Sequence, residues 1–439
     1  MAKKKNKIKY LLALVFVFLI SINIALADGN NSGDIAWVAA ASALVMLMTP
    51  ALGFFYAGLV RKKNIVSTLT QCIVIFAIVS LVWALWAYSL AFGPSIGGVI
   101  GDFSWAGLNK VSMSPNKDYA GTIPHLLFFF FQLKFAAITP ALIIGAFAER
   151  IRFPALIIFI LLWTTLVYAP IAHWVWNTNG WLHSLGVLDF AGGTVVHIAA
   201  GVSALAAAIV IGRRKGFENG FQKVFAPSNV PFVILGASLL WFGWFGFNAG
   251  SALAANSLAV NALVVTNLAA AAAAISWMIV DWVRKGKPSA TGIAIGAVCG
   301  LVAITPASGY VGAVASIIIG FVAGIISNLV ANWRVSRTKL DDSLDVFACH
   351  GVSGIWGSLA TGIFATIAIN SAGANGLLYG NAGQLVIQFI ATIVVAAYAF
   401  VGSYILLKVT GYFVRLRVSK EEEHYGLDKT QHGEEAFSD

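Results

Sequence analysis

Two stretches of this chain carry ionisable side chains into apolar surroundings. The first runs from Asp189 through Gly192, Gly193 and Thr194 to His197, and continues apolar to Ile211. The second runs from Asp345 through Cys349 to His350 and Gly354. Each reads as a carboxylate followed by His-x-x-x-Gly, with Gly201 and Gly354 closing the two patterns. On a helix rising about 1.5 Å per residue, His197 stands about 12 Å from Asp189 and His350 about 7–8 Å from Asp345. With each carboxylate at a membrane surface, the two imidazoles lie inside a hydrocarbon core of about 30 Å and about 10 Å apart along its normal. Ionisable groups at that depth are rare and mark transport paths or proton relays. The competing role is a hydrogen bond that glues helices together, and two histidines in similar settings weaken it. Two neutral imidazoles in contact share one proton and can still serve a small hydrogen-bonding molecule without fixing a charge.

The elements that must position them are membrane spans. Hydrophobic residues make up 59% of the 439 and charged residues 10%, against about 25% charged in soluble domains, and the mean hydropathy is +0.84. The net charge of +10 does not indicate nucleic acid, because the basic residues fall in short clusters between apolar runs. Cys72, Cys299 and Cys349 all fall inside predicted spans at no metal-site spacing. They read as small buried hydrophobes, with no disulfide framework and no metal or cofactor.

Residues 1–27 read as a cleaved signal peptide: Lys3, Lys4, Lys5, Lys7 and Lys9 precede an apolar run, and Ala25-Leu26-Ala27 follows, a small-x-small cleavage site. Residues 28–414 read as one membrane domain and 415–439 as a cytoplasmic tail. The fold class is all-α and polytopic, with about eleven spans at 34–60, 65–92, 123–148, 154–172, 193–211, 231–250, 258–283, 291–304, 312–333, 346–369 and 384–414. Basic clusters follow the odd-numbered spans: Arg61-Lys62-Lys63, Arg150 with Arg152, Arg213-Arg214-Lys215 with Lys223, Arg284-Lys285, Arg334 with Arg337, and Arg415 with Arg417. The positive-inside rule then puts the mature N-terminus outside and the tail inside. The histidine spans are the fifth and the tenth. Spans one to five and six to ten therefore run in opposite senses, an inverted repeat with its site at the midplane, plus one C-terminal helix.

The same topology gathers Trp176, Phe247, Ser251 and Asp189 at the outer mouth. Aromatic faces attract a cation by about 2 kcal/mol when desolvated, and a hydroxyl adds an acceptor; an interfacial aromatic belt is the alternative. Carrying an intact cation into an apolar medium costs tens of kcal/mol in the idealised limit, more than a few aromatic contacts offset. A cation that can shed a proton has another route, since burial lowers an amine's pKa by about 3–5 units. Ammonium qualifies and potassium does not.

From about Trp37 to Glu435 the chain resembles ammonium transporters of the Amt/Mep/Rh superfamily, on the Amt side. The stretches Asp189–His197, 243–251 (Gly243 to Ser251) and 147–151 (Phe147 to Ile151) carry the resemblance. It implies a homotrimer in the cell membrane with one pore per subunit, and no enzyme activity. It further implies an outer recruitment site at Trp176, Phe135 and Ser251, supported from the side by Asp189. Phe135 and Phe247 would gate the path, His197 and His350 would form its twin-histidine core, and Gln132, Phe55 and Tyr56 would line it. Lys134, mid-span beside Phe135, departs from the small or uncharged residues of the family and has to be compensated. The tail from Glu421 to Glu435 resembles the family's regulatory C-terminus, which bears on subunit coupling and on docking of PII-type signalling proteins; a solvated end is the alternative. Two other functions compete: an ammonium sensor read by a cytoplasmic partner, and a metal-dependent membrane enzyme. His173 and His183 lack the ligand spacing of a catalytic zinc site.

Overall fold

Helices begin where a polar loop side chain can satisfy the first orphan amides, and here asparagine and serine do so repeatedly. Asn31 accepts from the Gly33 and Asp34 amides at 2.9 and 3.1 Å, Asn229 from Phe232 at 3.0 Å, Asn256 from Ala259 at 3.1 Å and Ser289 from Gly292 at 3.0 Å. The computed structural model describes residues 29–215 and 226–437, so the signal-peptide expectation for 1–27 and Lys223 lie outside the described residues.

Among the described residues there are eleven long helical segments, α1 to α11 in chain order. They are α1 (Ser32–Leu59), α2 (Lys62–Phe92), α3 (His125–Phe147), α4 (153–176), α5 (Gly193–Ile211) and α6 (Val230–Ala249). The others are α7 (Ser257–Lys285), α8 (Ala290–Ile304), α9 (Ala313–Arg337), α10 (347–364) and α11 (Ala382–Phe413). Among the described residues nine are long and apolar enough to cross a membrane; α8, with 15 residues, and α10 are the other two. Large apolar side chains point outward along their length, including Leu81, Val260, Val314, Val386 and Val401, as helices facing lipid require.

Several boundaries differ from the sequence expectation. The fourth segment continues to Trp176 instead of ending at 172. The tenth stops at Phe364, because Ala365 turns to an extended conformation. The protein is not wholly helical: the loop between α2 and α3 holds two small antiparallel hairpins, Ser95–Ile96 with Ile100–Gly101 and Pro115–Asn116 with Ala120–Pro124.

α3 and α5 are buried around most of their circumference and form the centre. α5 meets α10 where a Cβ on Gly201 would collide with the Gly351 backbone. Only glycine permits that approach, and it sets the two histidine helices backbone to backbone.

Candidate functional site

Both histidines sit in π-helical turns that open their helices, Gly193–Ile198 in α5 and Phe347–Val352 in α10. Such widened turns are rare and concentrate at functional sites. The first is anchored by Asp189, which lies before the helix. Its Oδ1 accepts from the Gly192 and Gly193 amides at 2.8 and 2.6 Å. Its Oδ2 accepts from the Thr194 amide at 2.8 Å and from the Thr194 hydroxyl. Gly192, at φ +113°, makes the turn that brings these amides round. A carboxylate suits this place because the helix N-terminus presents unpaired amides and positive potential. The Trp176 indole donates to the Asp189 carbonyl at 3.0 Å, so the same residue also sets the outer tryptophan.

The second turn corrects a sequence expectation. Asp345, read as the partner carboxylate of His350, does not cap α10: at φ +55° it turns aside to pair with Arg334 at 2.7 Å. The capping carboxylate is Asp342, whose Oδ2 accepts from the Phe347 amide at 2.7 Å. The two anchors therefore stand at the same sequence distance from their histidines, Asp189 before His197 and Asp342 before His350.

With the helices starting after the carboxylates, the separation of about 10 Å expected along the membrane normal disappears. His197 and His350 meet, Nδ1 to Nδ1 at 3.3 Å, with ring centroids 5.4 Å apart. One imidazole donates and the other accepts. His197 Nε2 is buried without a hydrogen-bond partner among the described residues.

Above the pair the aromatic rings form a continuous column. Phe247 lies 5.9 Å from His197, Phe135 4.3 Å from Phe247, and Trp176 5.8 Å from Phe135, all between centroids. Trp244 flanks His197 at 5.4 Å and donates its indole proton to Thr305 at 2.9 Å. The column ends in a cavity of about 510 Å³ lined by Trp176, Phe135, Ser251, Gln132 and Asp189. Within it Gln132 Oε1 is an acceptor with no partner among the described residues, while the Ser251 hydroxyl donates to the Phe247 carbonyl at 2.8 Å and keeps its lone pairs.

Beneath Phe247 a second, apolar cavity borders His197, His350, Leu52, Leu142 and Trp244. Its volume open to the centre of a water-sized molecule is about 10 Å³, room for about one such molecule. Phe55 and Tyr56 line neither cavity. Tyr56 sits one turn beyond Leu52 on α1 and donates to the Leu142 carbonyl at 3.0 Å, and Phe55 packs beside it at 5.8 Å. Lys134 is buried and points away from the column, its Nζ 3.3 Å from the Phe130 ring centroid and 5.4 Å from that of Phe76. His173 on α4 ties that helix to the end of α2, contacting the Ala91 carbonyl and, in the following loop, Ser95. Among the described residues no three His, Cys, Asp or Glu side chains gather as a metal site.

With this geometry in view, the Ammonium Transporter Family matches residues 36–437. The chain belongs to the ammonium transporter family. An ammonium transporter of Bacillus subtilis is 47% identical over 411 residues, 93% of this chain and 99% of its own length. Ammonium transporter Amt1 of Archaeoglobus fulgidus is 48% identical over 408 residues, 93% and 100%. The crystal structure of Candida albicans Mep2 superposes with a TM-score of 0.85 at 37% identity, covering 90% of this chain and 88% of that one. A sensor Amt protein superposes at 0.85 and 32%, covering 91% and 98%. Family membership and the apolar helices make this a multi-pass membrane protein that transports ammonium.

Sequence reasoning missed the end of the helices opposite the aromatic column, where charges remote in sequence converge. Glu149 Oε1 accepts from the Arg61 backbone and guanidinium at 2.7 and 2.9 Å and from Asn64 at 2.9 Å, while its Oε2 accepts from Arg214 at 2.8 Å. Arg214 also makes a two-pronged pair with Asp341 at 2.9 and 3.0 Å. Burial pushes the Glu149 carboxyl up, but Arg214 and Arg61 together hold it below its ordinary value. Arg150 is fully buried and donates to five oxygens, among them the Gly212, Ala146 and Asp341 carbonyls. Each arginine reads in the sequence only as a mark of loop orientation; the one available signal was Glu149, beside Arg150.

The tail folds onto this cluster instead of remaining a solvated end. The Leu427 amide donates to Asn64 at 2.9 Å, the Ser67 amide to Asp428 at 2.7 Å, and the Lys215 amide to Glu423 at 2.6 Å. Its short helix Lys420–Tyr425 is held by a capping box of Ser419 and Glu422.

Proposed function

We propose that each subunit recruits ammonium in the outer cavity, strips its proton beside the aromatic column and passes ammonia along the histidine pair. The observation that carries this reading is the unbroken column from Trp176 through Phe135 and Phe247 to two imidazoles beside a cavity for about one small molecule. Trp176, Phe135, Ser251 and the unpartnered Gln132 oxygen attract the cation. Asp189 holds Trp176 and the start of α5 in place. Phe135 and Phe247 pack against each other across the route, their rings tilted by 41°, and part to admit a molecule. An apolar cavity rejects an ion that keeps its charge, and the imidazoles replace the hydrogen bonds a neutral molecule leaves behind in water. Phe55 and Tyr56 mark the exit side.

In this reading all eleven helices cross the bilayer as an inverted repeat of five and five plus α11, with the N-terminus outside. The basic ends of α1, α3, α5, α7 and α9 support that orientation. Three copies assemble, and the tail, tied to Asn64, Ser67 and Lys215, relays its position to the cytoplasmic loops where a PII-type protein docks. Simultaneous recording of current and internal pH in proteoliposomes during an ammonium pulse tests the proton step. A proton left in external water makes uptake raise internal pH without current, and a proton that follows by a separate route makes uptake carry current. In both cases potassium, which has no proton to lose, gives no current. A current that potassium also carries, or uptake with neither current nor an internal pH change, opposes it.

A further inference from the structure

Cys299 on α8 and Cys349 on the histidine turn of α10 bring their sulfurs to 3.4 Å. Both are buried, and the contact is fixed by backbone. A Cβ on Gly357 of α10 would strike the Ala303 backbone of α8, and one on Gly201 would strike Gly351. The backbone contact of α8 with α10 therefore keeps the two cysteines facing each other. Four-coordinate zinc needs more donors than these two, and no larger His/Cys/Asp/Glu set forms among the described residues. Two thiolates suit a soft cation. The pair lies next to the path. Val298 and His350, each adjacent in sequence to one cysteine, line the apolar cavity. The Cys349 amide donates to the Asp345 carbonyl at 2.9 Å, and Asp345 borders a cytoplasmic cavity of about 380 Å³.

We propose that Cys299 and Cys349 form a two-coordinate site for a soft d10 metal ion, and that filling it closes the path at His350. Mercuric chloride is a neutral carrier of such an ion and avoids the cost of moving a bare cation through apolar surroundings. In the reaction two S–H and two Hg–Cl bonds break, two S–Hg and two H–Cl bonds form, and no electrons change hands. Both protons leave with chloride to cytoplasmic water. A metal–thiolate bond of about 2.3 Å makes a linear S–metal–S unit of about 4.6 Å, longer than the 3.4 Å between the sulfurs. The added length is taken up at the π-helical turn that bears Cys349, and its displacement by about 1 Å takes His350 out of its contact with His197.

The test uses the full chain in detergent and in liposomes, with one equivalent of mercuric chloride followed by a competing monothiol. Intact-mass spectrometry is expected to show one mercury retained per chain, in the wild type and in Cys72→Ser. Cys299→Ser and Cys349→Ser should each lower retention at least tenfold, and Cys299→Ala replaces the serine variant if that one does not fold. Methylmercury chloride, which takes one thiolate, should wash out. Retention unchanged in both cysteine variants, or lost in Cys72→Ser, overturns the site. Ammonium uptake should fall at least tenfold on metal binding and return with dithiothreitol. Retained mercury with undiminished uptake overturns the link to His350. Because mercury retention does not depend on transport, a failure of the ammonium reading is distinguishable from a failure of the site.

Discussion

At the end that carries the aromatic column α5 starts on Asp189, and at the end that carries the Glu149 cluster α10 starts on Asp342, each eight residues before its histidine. The two carboxylates are satisfied very differently. Both Asp189 oxygens accept from amides of the turn they cap, with the Thr194 hydroxyl added. Asp342 accepts one amide, and its Oδ1 has no partner among the described residues. Its surroundings are also charged: Arg334 and Asp345 act on it, and Asp341 beside it carries the pair with Arg214. Burial pushes the Asp342 carboxyl up to about 6, with Arg334 opposing and Asp345 adding to the rise. One helix-capping device thus works as a saturated anchor at Asp189 and as a titratable group beside an ion cluster at Asp342. What the two ends share is placement of a histidine; what they do with charge is separate.

The largest effect is expected at the Glu149 cluster. Glu149→Gln leaves Arg214 and Arg61 facing a neutral amide, and breaking a buried pair this way costs about 3–5 kcal/mol. Thermal unfolding in detergent measures it, and a loss below about 1 kcal/mol would mean that the cluster is dispensable.

Next comes the contrast of the two caps. Asp189→Asn gives up charge-assisted bonds worth about 1.5–3 kcal/mol, whereas Asp342→Asn at neutral pH removes a poorly partnered charge and is expected to be neutral or stabilising. The pH dependence sharpens this. The ordinary carboxyl value is 3.8 and the folded one about 6, so between them the folded chain holds a proton that the unfolded chain has lost. The contribution of Asp342 to stability is complete below the lower value and disappears as pH rises through the upper one. Melting curves from pH 4 to 7 should therefore show Asp342→Asn gaining on the wild type as pH rises. Equal slopes for the two proteins would contradict a titrating Asp342 cap.

The smallest effect belongs to Lys134, which both ends leave aside. A double-mutant cycle of Lys134→Met with Phe130→Leu is expected to give a coupling of about 1 kcal/mol, the size of a partly desolvated cation–π contact. Zero coupling would assign its compensation elsewhere.

Much of this was legible in the sequence, for physical reasons. Apolar runs long enough for a bilayer and basic punctuation mark the helices almost wherever they occur, and histidines at membrane depth stand out by their cost. The caps were not legible in the same way. Asp341, Asp342 and Asp345 lie within five residues, and only backbone conformation, with Asp345 at φ +55°, decides which one reaches the helix amides. The contact of the two histidines depends on π-helical turns and on Gly201 against Gly351, which no periodicity reveals. The Glu149 cluster joins residues 61, 149, 214 and 341 across most of the chain, a proximity that only tertiary packing creates.

The most direct test of the central claim, that a neutral imidazole pair sets selectivity, is His197→Asp. A carboxylate at that point gives a dehydrated monovalent cation a counter-charge that the wild-type cavity withholds. Potassium current and uptake competition by potassium should be measured on the variant in liposomes alongside the wild type. The account predicts potassium current and inhibition of ammonium uptake by excess potassium in the variant only. A variant that still transports ammonium and ignores potassium would contradict it.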